Sequence, residues 1–419
     1  MRKVLWISYF FPPLNCNVGR QIKIAKYLPD NGWQPVVLSV KRSRLRPVYD
    51  YSLMKDINPA IEVHRTWSLE SRLAMQHFPA LLNRYLHINP EWFNIPDQYA
   101  GWLPFALWKG LRIVQKEKID VIFSTSLPNT CHLVANILKR RTGLPWVADL
   151  QDLWTQNPYA SYPAPVRRLQ NKMEKAVIKT TDRITVINYT AKQDLMSKYP
   201  GEPAEKFEII THGFDPQDLP AISSKRKPLS GKFTITFTGS LYGRIKVDTF
   251  MYAVKELIDE NRALGDHLNI RFVGGVSPAE KLSQQLGLHG IVTTQGWVTH
   301  QEVWNYMAVS NVLLLVLGVG EHGEKASTGK LPEYMVSGKP ILALVPEGVA
   351  AGIIRETNIG IIVNPEDKEG IKQAIHDLYI KWLSGNLSIS QNKEAIEQYN
   401  ITRLAKRFAA IFDELADTK

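Results

Sequence analysis

The sequence predicts an α/β protein: two doubly wound parallel-sheet domains in series, facing each other across a cleft, with a C-terminal helix crossing back to the first. Three observations carry this. Short, continuously apolar segments alternate with helical stretches in both halves of the chain, as expected of strands covered by helices on both faces. The alternation lapses over residues 219–232, where two prolines, three serines and four Lys or Arg occur without period, so this stretch reads as a linker. In the tail, Ile401, Leu404, Phe408, Ile411, Phe412 and Leu415 recur at three- and four-residue spacing, an amphipathic helix whose apolar stripe needs a partner surface.

The elements follow in order. Residues 3–11 form a first strand, 19–28 a helix and 33–40 a second strand. A helical stretch at 104–118 precedes a strand at 119–124, then a helix at 127–138, a strand at 146–150 and a basic helix at 166–180. Strands at 183–187 and 207–210 complete a first domain, residues 1–218. The pattern restarts in a second domain, residues 233–385, with a strand at 233–237, a turn at Gly239 and a helix through Leu257. Further strands fall at 269–273, 312–317, 340–345 and 360–363, and residues 386–419 form the return segment. One stretch, about 61–104, breaks the rhythm with Trp67, Phe78, Tyr85, Trp92, Phe93, Tyr99 and Trp102 beside Arg65, Arg72 and Arg84. It is either an interfacial or acceptor-binding surface or an inserted subdomain that buries its rings in ordinary packing.

Composition narrows the class. With 419 residues, 44% hydrophobic and 22% charged, the chain has length for two to three cores and excludes disorder, collagen and coiled coil. Its two cysteines, Cys16 and Cys131, exclude a disulfide scaffold and a cysteine zinc cage and suit a reducing compartment. No apolar run approaches the ~20 residues of a spanning helix. The apolar run after Met1-Arg2-Lys3 stops at Pro12-Pro13 with no cleavage site, so it reads as a buried strand, not a signal peptide, and the protein as cytoplasmic. The formal net charge of +11 is unevenly placed: 29 Lys and Arg against 19 Asp and Glu up to Pro220, then 22 against 21. Such a field attracts nucleic acid, an anionic membrane or an acidic substrate, or serves solubility alone. Nucleic-acid binding requires stacking aromatics on a sheet face or a recognition helix, and the buried apolar strands leave neither.

Open α/β sheets bind ligands at the carboxyl ends of their strands, which directs attention to four loops. The first runs from Pro12 to Arg20 and puts Gly19 at a helix start, where backbone N–H groups can approach an anion or a sugar. It is not a G-x-G-x-x-G fingerprint, and no P-loop lysine follows. The second holds Asp149 and Asp152, which either take a hydroxyl proton or bind sugar hydroxyls, or cap a helix. The third, G-S-L-Y-G-R-I-K, offers backbone donors at Gly239 and Ser240, a planar fork at Arg244 and a point charge at Lys246. Cations there would stabilise a departing diphosphate without metal; the alternative is a pair of solvated side chains. The fourth, residues 318–340, is the most specific. Ser327, Thr328 and Gly329 place small residues at a helix start, Lys330 beside Leu331 reaches a phosphate, and Glu333 one turn on can accept both hydroxyls of a ribose.

The fourth loop joins a series: Y-F-F-P-P at 9–13, K-Y-L-P-D-N-G-W at 26–33, P-W-V-A-D-L-Q-D-L-W at 145–154, I-T-H-G-F-D at 210–215, F-T-G-S-L-Y-G-R at 237–244 and Gly296-Trp297-Val298. In order and spacing, over nearly the whole chain, these resemble the family-4-like retaining glycosyltransferases of the GT-B fold. The resemblance implies two Rossmann-like domains and transfer of a sugar from a UDP- or GDP-linked donor to a hydroxyl acceptor with retained anomeric configuration. It implies donor binding by the second domain, acceptor binding by the first, and neither metal nor cofactor. Glu333 would hold the ribose, Arg244 and Lys330 the diphosphate, Gly19 would lie near the transferred sugar, and Trp297 in the base-binding loop. Gly239, Ser240, Lys246, Ser327, Thr328, Gly329 and Leu331 would complete the donor site, with Asp149, Asp152, Arg244 and Lys330 as the catalytic set. The sequence departs from the family in three places, the first being Asp149 and Asp152 in the first-domain loop, where members often carry a histidine. The first glutamate of E-x7-E falls at Lys325, with Glu324 one position away, and His212 stands where many members have asparagine, either catalytic or simply packed.

The expected activity is a metal-independent hexosyltransferase in cell-surface polysaccharide or glycolipid biosynthesis. It would work peripherally at the inner face of the plasma membrane on a lipid-linked or polysaccharide acceptor, its basic N-terminal half meeting anionic lipid. A nucleotide-sugar epimerase of the same fold is one alternative, though it leaves the aromatic insertion without a purpose. A catalytically inert partner subunit, suggested by Lys325, is another.

Overall fold

The computed structural model describes residues 1–14, 19–42, 48–69, 95–157, 162–218, 231–241, 243 and 245–418. The chain divides into two units, Met1–Thr211 with Ile401–Lys419, and His212–Asn400.

In the first unit the elements run β1 (Arg2–Ile7), α1 (Gly19–Tyr27), β2 (Trp33–Val40), β3 (Glu62–Thr66), α2 (Leu103–Lys116), β4 (Val121–Thr125) and α3 (Thr130–Thr142). They continue as β5 (Trp146–Leu150), α4 (Ala164–Thr180), β6 (Arg183–Val186), α5 (Tyr189–Lys198) and β7 (Phe207–Ile209). All seven strands are parallel, in the order β3-β2-β1-β4-β5-β6-β7. The central strands are buried on both faces, which is why they read as unbroken apolar runs. The first strand is shorter than expected: it ends at Ile7, and beyond it the Tyr9 carbonyl still accepts from Val40 N at 3.2 Å while the Tyr9 and Phe10 rings pack on Tyr99 and Trp102.

Those last two rings settle part of the aromatic insertion. Tyr99 and Trp102 are core residues, and Trp102 Nε1 donates to Thr66 Oγ1 at 2.7 Å. Arg65 is spent on the backbone, donating to the Val40 carbonyl at 3.2 Å and to that of Pro12. Trp67 is exposed. Phe78, Tyr85, Trp92, Phe93, Arg72 and Arg84 lie outside the described residues.

The tail helix α15 (Ile401–Asp417) belongs to the first unit. Its stripe of Ile401, Leu404, Phe408, Ile411 and Phe412 is buried in one cluster with Val4, Trp6 and Phe123. Asp413 accepts from Arg2 and, at 3.1 Å, from Trp33 Nε1. Each large apolar side chain so buried contributes roughly 1.5–3 kcal/mol, so the sequence's amphipathic tail finds its partner surface on this sheet.

In the second unit the elements are β8 (Phe233–Thr238), α6 (Asp248–Glu260), α7 (Arg262–His267), β9 (Leu268–Val273), α8 (Ser277–Gln285), β10 (Val292–Gln295), α9 (His300–Ala308) and β11 (Val312–Val316). There follow α10 (Glu321–Glu324), α11 (Lys330–Val336), β12 (Ile341–Leu344), α12 (Val349–Thr357), β13 (Gly360–Val363), α13 (Lys368–Leu383) and α14 (Lys393–Glu397). Its six parallel strands run β10-β9-β8-β11-β12-β13. Each unit is thus a Rossmann-like, doubly wound sheet. Among the described residues no helix is long and apolar enough to cross a membrane.

Candidate functional site

In the second sheet the chain winds outward from β8 in both directions, to β9 on one side and β11 on the other, so β8 marks the topological switch point where such sheets bind ligands. The loops leaving β8, β9 and β11 converge there. Gly239, directly after β8, has φ +115°, and a Cβ on it would lie 2.5 Å from Lys330 Cε and 2.6 Å from its Nζ. Gly274, after β9, has φ +121°, and its Cβ would collide with the Gly239 carbonyl at 2.2 Å. Only glycine permits both the backbone conformation and the approach. The Gly239 amide is itself spent, donating to the Val273 carbonyl at 2.8 Å. Gly239 therefore contributes room for Lys330, not the backbone donor expected of it.

Lys330 opens α11, and its Nζ stands 4.3 Å from the centroid of the Phe237 ring. The helix is fastened behind it: Tyr334 Oη accepts from Thr238 N at 3.1 Å and pairs with Thr238 Oγ1 at 2.9 Å. Desolvation pushes the Lys330 ammonium down to about 8, opposed by the charge of Glu333. A cation held against a glycine turn at a switch point, with a depressed pKa, suits an incoming anion better than a permanent ion pair.

Glu333 lies one turn along α11, on the same side as Lys330 by helical spacing. Its Oε1 accepts from His300 Nε2 at 2.9 Å. His300 was not legible as a site residue, since nothing local in T-H-Q-E-V-W marks it and its partner is 33 residues away. It is the first residue of α9, separated by one residue from the Gly296-Trp297-Val298 loop, where Trp297 is exposed.

The remaining expected donor residues divide. Thr328 shapes the turn before α11: its carbonyl accepts from Leu331 N at 3.2 Å and its Oγ1 from Lys330 N at 3.4 Å. Ser327 is half-buried, Gly329 is exposed, and the His212 ring stands beside Gly329, with Nδ1 3.6 Å from where a Cβ would be. Ser240 and Lys246 are exposed. Leu331 is a correction. Its side chain is buried with Tyr334 and Met335 in the core, so only its backbone can meet a ligand. Arg244 lies outside the described residues. Lys325, at the first-glutamate position, pairs with Glu321 at 2.7 Å on α10, and Glu324 is exposed.

In the first unit, Asp149 and Asp152 part company. Asp149 is still within β5, and its carboxylate is closed in the interior: Oδ2 accepts from Arg20 Nη1 at 2.6 Å and Thr125 Oγ1 at 3.0 Å, Oδ1 from Thr185 Oγ1 at 2.7 Å. The side chains of Arg20 and Asp149 are 3% and 1% exposed. The expected role of Asp149 as an outward-facing base is therefore corrected; it is an interior counter-ion. Arg20 also donates to the carbonyls of Ile210 and Thr211, which anchors the start of α1 and with it Gly19. Residues 15–18 of that loop lie outside the described residues. Asp152, beyond the strand end, is exposed. Among the described residues no group of three or more His, Cys, Asp or Glu is placed to hold a metal ion.

Comparison with known proteins bears on the fold and the family. The model of Glycosyltransferase Family 4 matches residues 22–218, and that of the glycosyl transferases group 1 matches residues 232–381. No curated protein gives a significant match. Among solved structures, the sucrose-phosphate synthase of Thermosynechococcus elongatus is similar at TM-score 0.69 and 16% identity, with 100% of each chain covered. HepE of Anabaena, solved with UDP, gives TM-score 0.64 and 16% identity over 99% of this chain and 100% of that one. A putative UDP-N-acetylglucosamine 2-epimerase from Listeria monocytogenes gives TM-score 0.58 and 15% identity over 100% and 97%. These three likenesses speak for the fold; the family models, which between them span most of both units, speak for the activity. The chain belongs to the family-4-like glycosyltransferases of the GT-B fold, which use nucleotide sugars.

Proposed function

We propose that this chain is a retaining, metal-independent glycosyltransferase that moves a sugar from a UDP- or GDP-linked donor to a hydroxyl of a lipid-linked or polysaccharide acceptor. The observation that carries the reading is Lys330, its Nζ lodged against Gly239 at the switch point, with Glu333 one turn on. The donor's diphosphate lies at Lys330 and its ribose at Glu333. In the transfer the bond from the anomeric carbon to the phosphate oxygen breaks and the diphosphate takes the electron pair. The acceptor oxygen bonds to the same carbon on the same face, and its proton passes to the departing phosphate oxygen. Lys330 stabilises the charge that develops there. Asp152 is the carboxylate that remains open to acceptor hydroxyls. Titration calorimetry with UDP, GDP, ADP and their sugar conjugates, without metal, is expected to pick out one base. Proton NMR of slow donor hydrolysis is then expected to show the donor's own anomer first. An inverted first product would refute retention, interconversion of the free donor into its epimer would favour the epimerase reading, and binding of none would favour an inert partner.

The acceptor side of the reading is supported by exposed aromatic and apolar side chains on the first unit. Trp67 and Leu69 are 66% and 70% exposed, and Leu69 N donates to the Gly101 carbonyl in the turn before α2. On α2, Trp108 is 55% exposed with the Arg112 guanidinium 4.1 Å from its ring, and Lys41 Nζ stands 4.9 Å from the Trp67 ring. Exposed tryptophans capped by cations suit an anionic headgroup layer. Each cation near such a surface contributes about 1 kcal/mol, and the attraction is screened by salt. Sedimentation with phosphatidylglycerol-containing vesicles is expected to pull the protein down in low salt and to fail in 0.5 M salt or with Trp67→Ser/Trp108→Ser. Equal recovery with purely zwitterionic vesicles would count against it.

A further inference from the structure

We infer that His300 is a positioning residue for donor binding, holding the Glu333 carboxylate in the orientation that reads the ribose; this rests on the assignment of Glu333 to the ribose made above. The contact is His300 Nε2 to Glu333 Oε1 at 2.9 Å. A carboxylate only accepts, so Nε2 carries the proton and the imidazole is the donor. Both ends of the bond are fixed from behind. His300 starts α9, whose N-terminus is locked by a reciprocal capping box: Thr299 N and Oγ1 each meet Glu302 Oε2 at 2.8 Å, and Glu302 N returns a bond to Thr299 Oγ1. The imidazole meets the ring of Trp304 edge-on at 5.7 Å, one turn on, and Trp304 is itself buried. On the other side, Glu333 precedes Tyr334, the residue tied to Thr238 at the end of β8.

The chemistry follows from that placement. A glutamate side chain has three rotors, and a carboxylate free to sample them would lose that freedom on each binding event. A donor on one oxygen removes the rotor freedom in advance and fixes the carboxylate plane, which decides whether two neighbouring hydroxyls can both reach it. His300 also follows the Gly296-Trp297-Val298 loop with only Thr299 between, so one side chain couples the loop assigned to the base with the group assigned to the sugar.

The test is calorimetry with UDP, GDP and ADP, and with the 2′,3′-dideoxy form of whichever binds. Wild type, His300→Ala, His300→Gln, Glu333→Ala and the His300→Ala/Glu333→Ala double variant are compared, with folding checked by thermal unfolding. The His300→Ala change is expected to weaken the nucleotide about tenfold, the order of one charge-assisted hydrogen bond. It should leave the dideoxy analogue's affinity unchanged, because that analogue has no hydroxyls for Glu333 to hold. Glutamine, whose amide N–H₂ can donate in place of the imidazole, should restore most of the loss, and the double variant should be no weaker than Glu333→Ala. An equal loss for nucleotide and dideoxy analogue would overturn the inference, since His300 would then act on fold or base. So would a loss in Glu333→Ala with none in His300→Ala, which leaves the ribose assignment standing. No effect of Glu333→Ala, or no binding by wild type, would take down the assignment and the inference together.

Discussion

Lys330→Met is expected to slow sugar transfer by about 10²–10³-fold, the usual cost of removing one preorganised group that stabilises charge developing in a transition state. The methionine keeps an unbranched apolar stem as far as Cε but has no ammonium, so it loses the cation–π contact with Phe237 together with the charge facing the departing diphosphate. A pH profile separates this from a packing defect. Burial puts the Lys330 ammonium at about 8 in the free protein. Between about pH 7 and 8 the cation is present and the diphosphate is fully ionised, so nucleotide affinity should be flat; above that window, binding must first protonate the lysine, and affinity should fall by up to about tenfold per pH unit. Stability moves the other way. An unfolded lysine titrates near 10.5, so between about 8 and 10.5 the unfolded chain binds more protons than the folded one, and this group's contribution makes folding more favourable as pH rises. A loss of binding above pH 8 in wild type is therefore not caused by unfolding linked to this lysine, and thermal unfolding at the same pH separates the two. In Lys330→Met the affinity should be low and flat across the same window. A variant within threefold of wild-type turnover, or one that keeps the wild-type pH profile, would remove Lys330 from the diphosphate.

What the sequence makes legible here follows from where each element gets its information. Interior strands such as Trp146–Leu150 are covered on both faces, so every residue is apolar or tightly satisfied, and the bounds read directly. Two strands escaped that reading, Glu62–Thr66 and Val292–Gln295, and both are edge strands of their sheets. With one neighbour and a half-exposed face, E-V-H-R-T and V-T-T-Q need no apolar run to hold their place, and charged residues at an edge discourage further pairing. The tail helix was legible because its period is written into six residues. The same division runs through the site. Lys330 and Glu333 belong to one short helix, and their spacing is local. The direction of Asp149 is not local. Asp149 and Asp152 look alike at i and i+3, but β5 ends at Leu150, so the pleat turns the first inward while the second lies beyond the strand. What receives the first is Arg20, 129 residues earlier. His300 is hidden for the same reason, since its meaning lies in a partner on another helix.

Asp149→Ala is expected to destabilise the first unit by about 3–5 kcal/mol, because it strands a buried guanidinium rather than deleting an exposed pair. Arg20 donates through Nη1 to Asp149, through Nη2 to the Ile210 carbonyl at 2.8 Å and through Nε to the Thr211 carbonyl at 3.1 Å, and its guanidinium carbon stands 5.5 Å from the Phe408 ring. The two carbonyls satisfy geometry but do not balance charge. Without Asp149 the cation must stay buried uncompensated, draw in water or pull away from its partners. The last course would loosen three things at once: the first turn of α1, the last residues of the chain's first pass through this unit, and the seat of α15. A domain is typically stable by 5–15 kcal/mol, so the change should be plain in the urea midpoint of unfolding. Asp149→Asn keeps one oxygen for hydrogen bonding and should fall between alanine and wild type. If the pair is the source of the effect, Arg20→Ala/Asp149→Ala should cost clearly less than the sum of the single changes, since the second deletion removes the charge that the first left stranded. A proton-accepting Asp149 predicts the opposite pattern, with Asp149→Asn folding like wild type and losing turnover alone. Unfolding free energies within about 1 kcal/mol of wild type for both single variants would sink the counter-ion assignment and reopen the catalytic one.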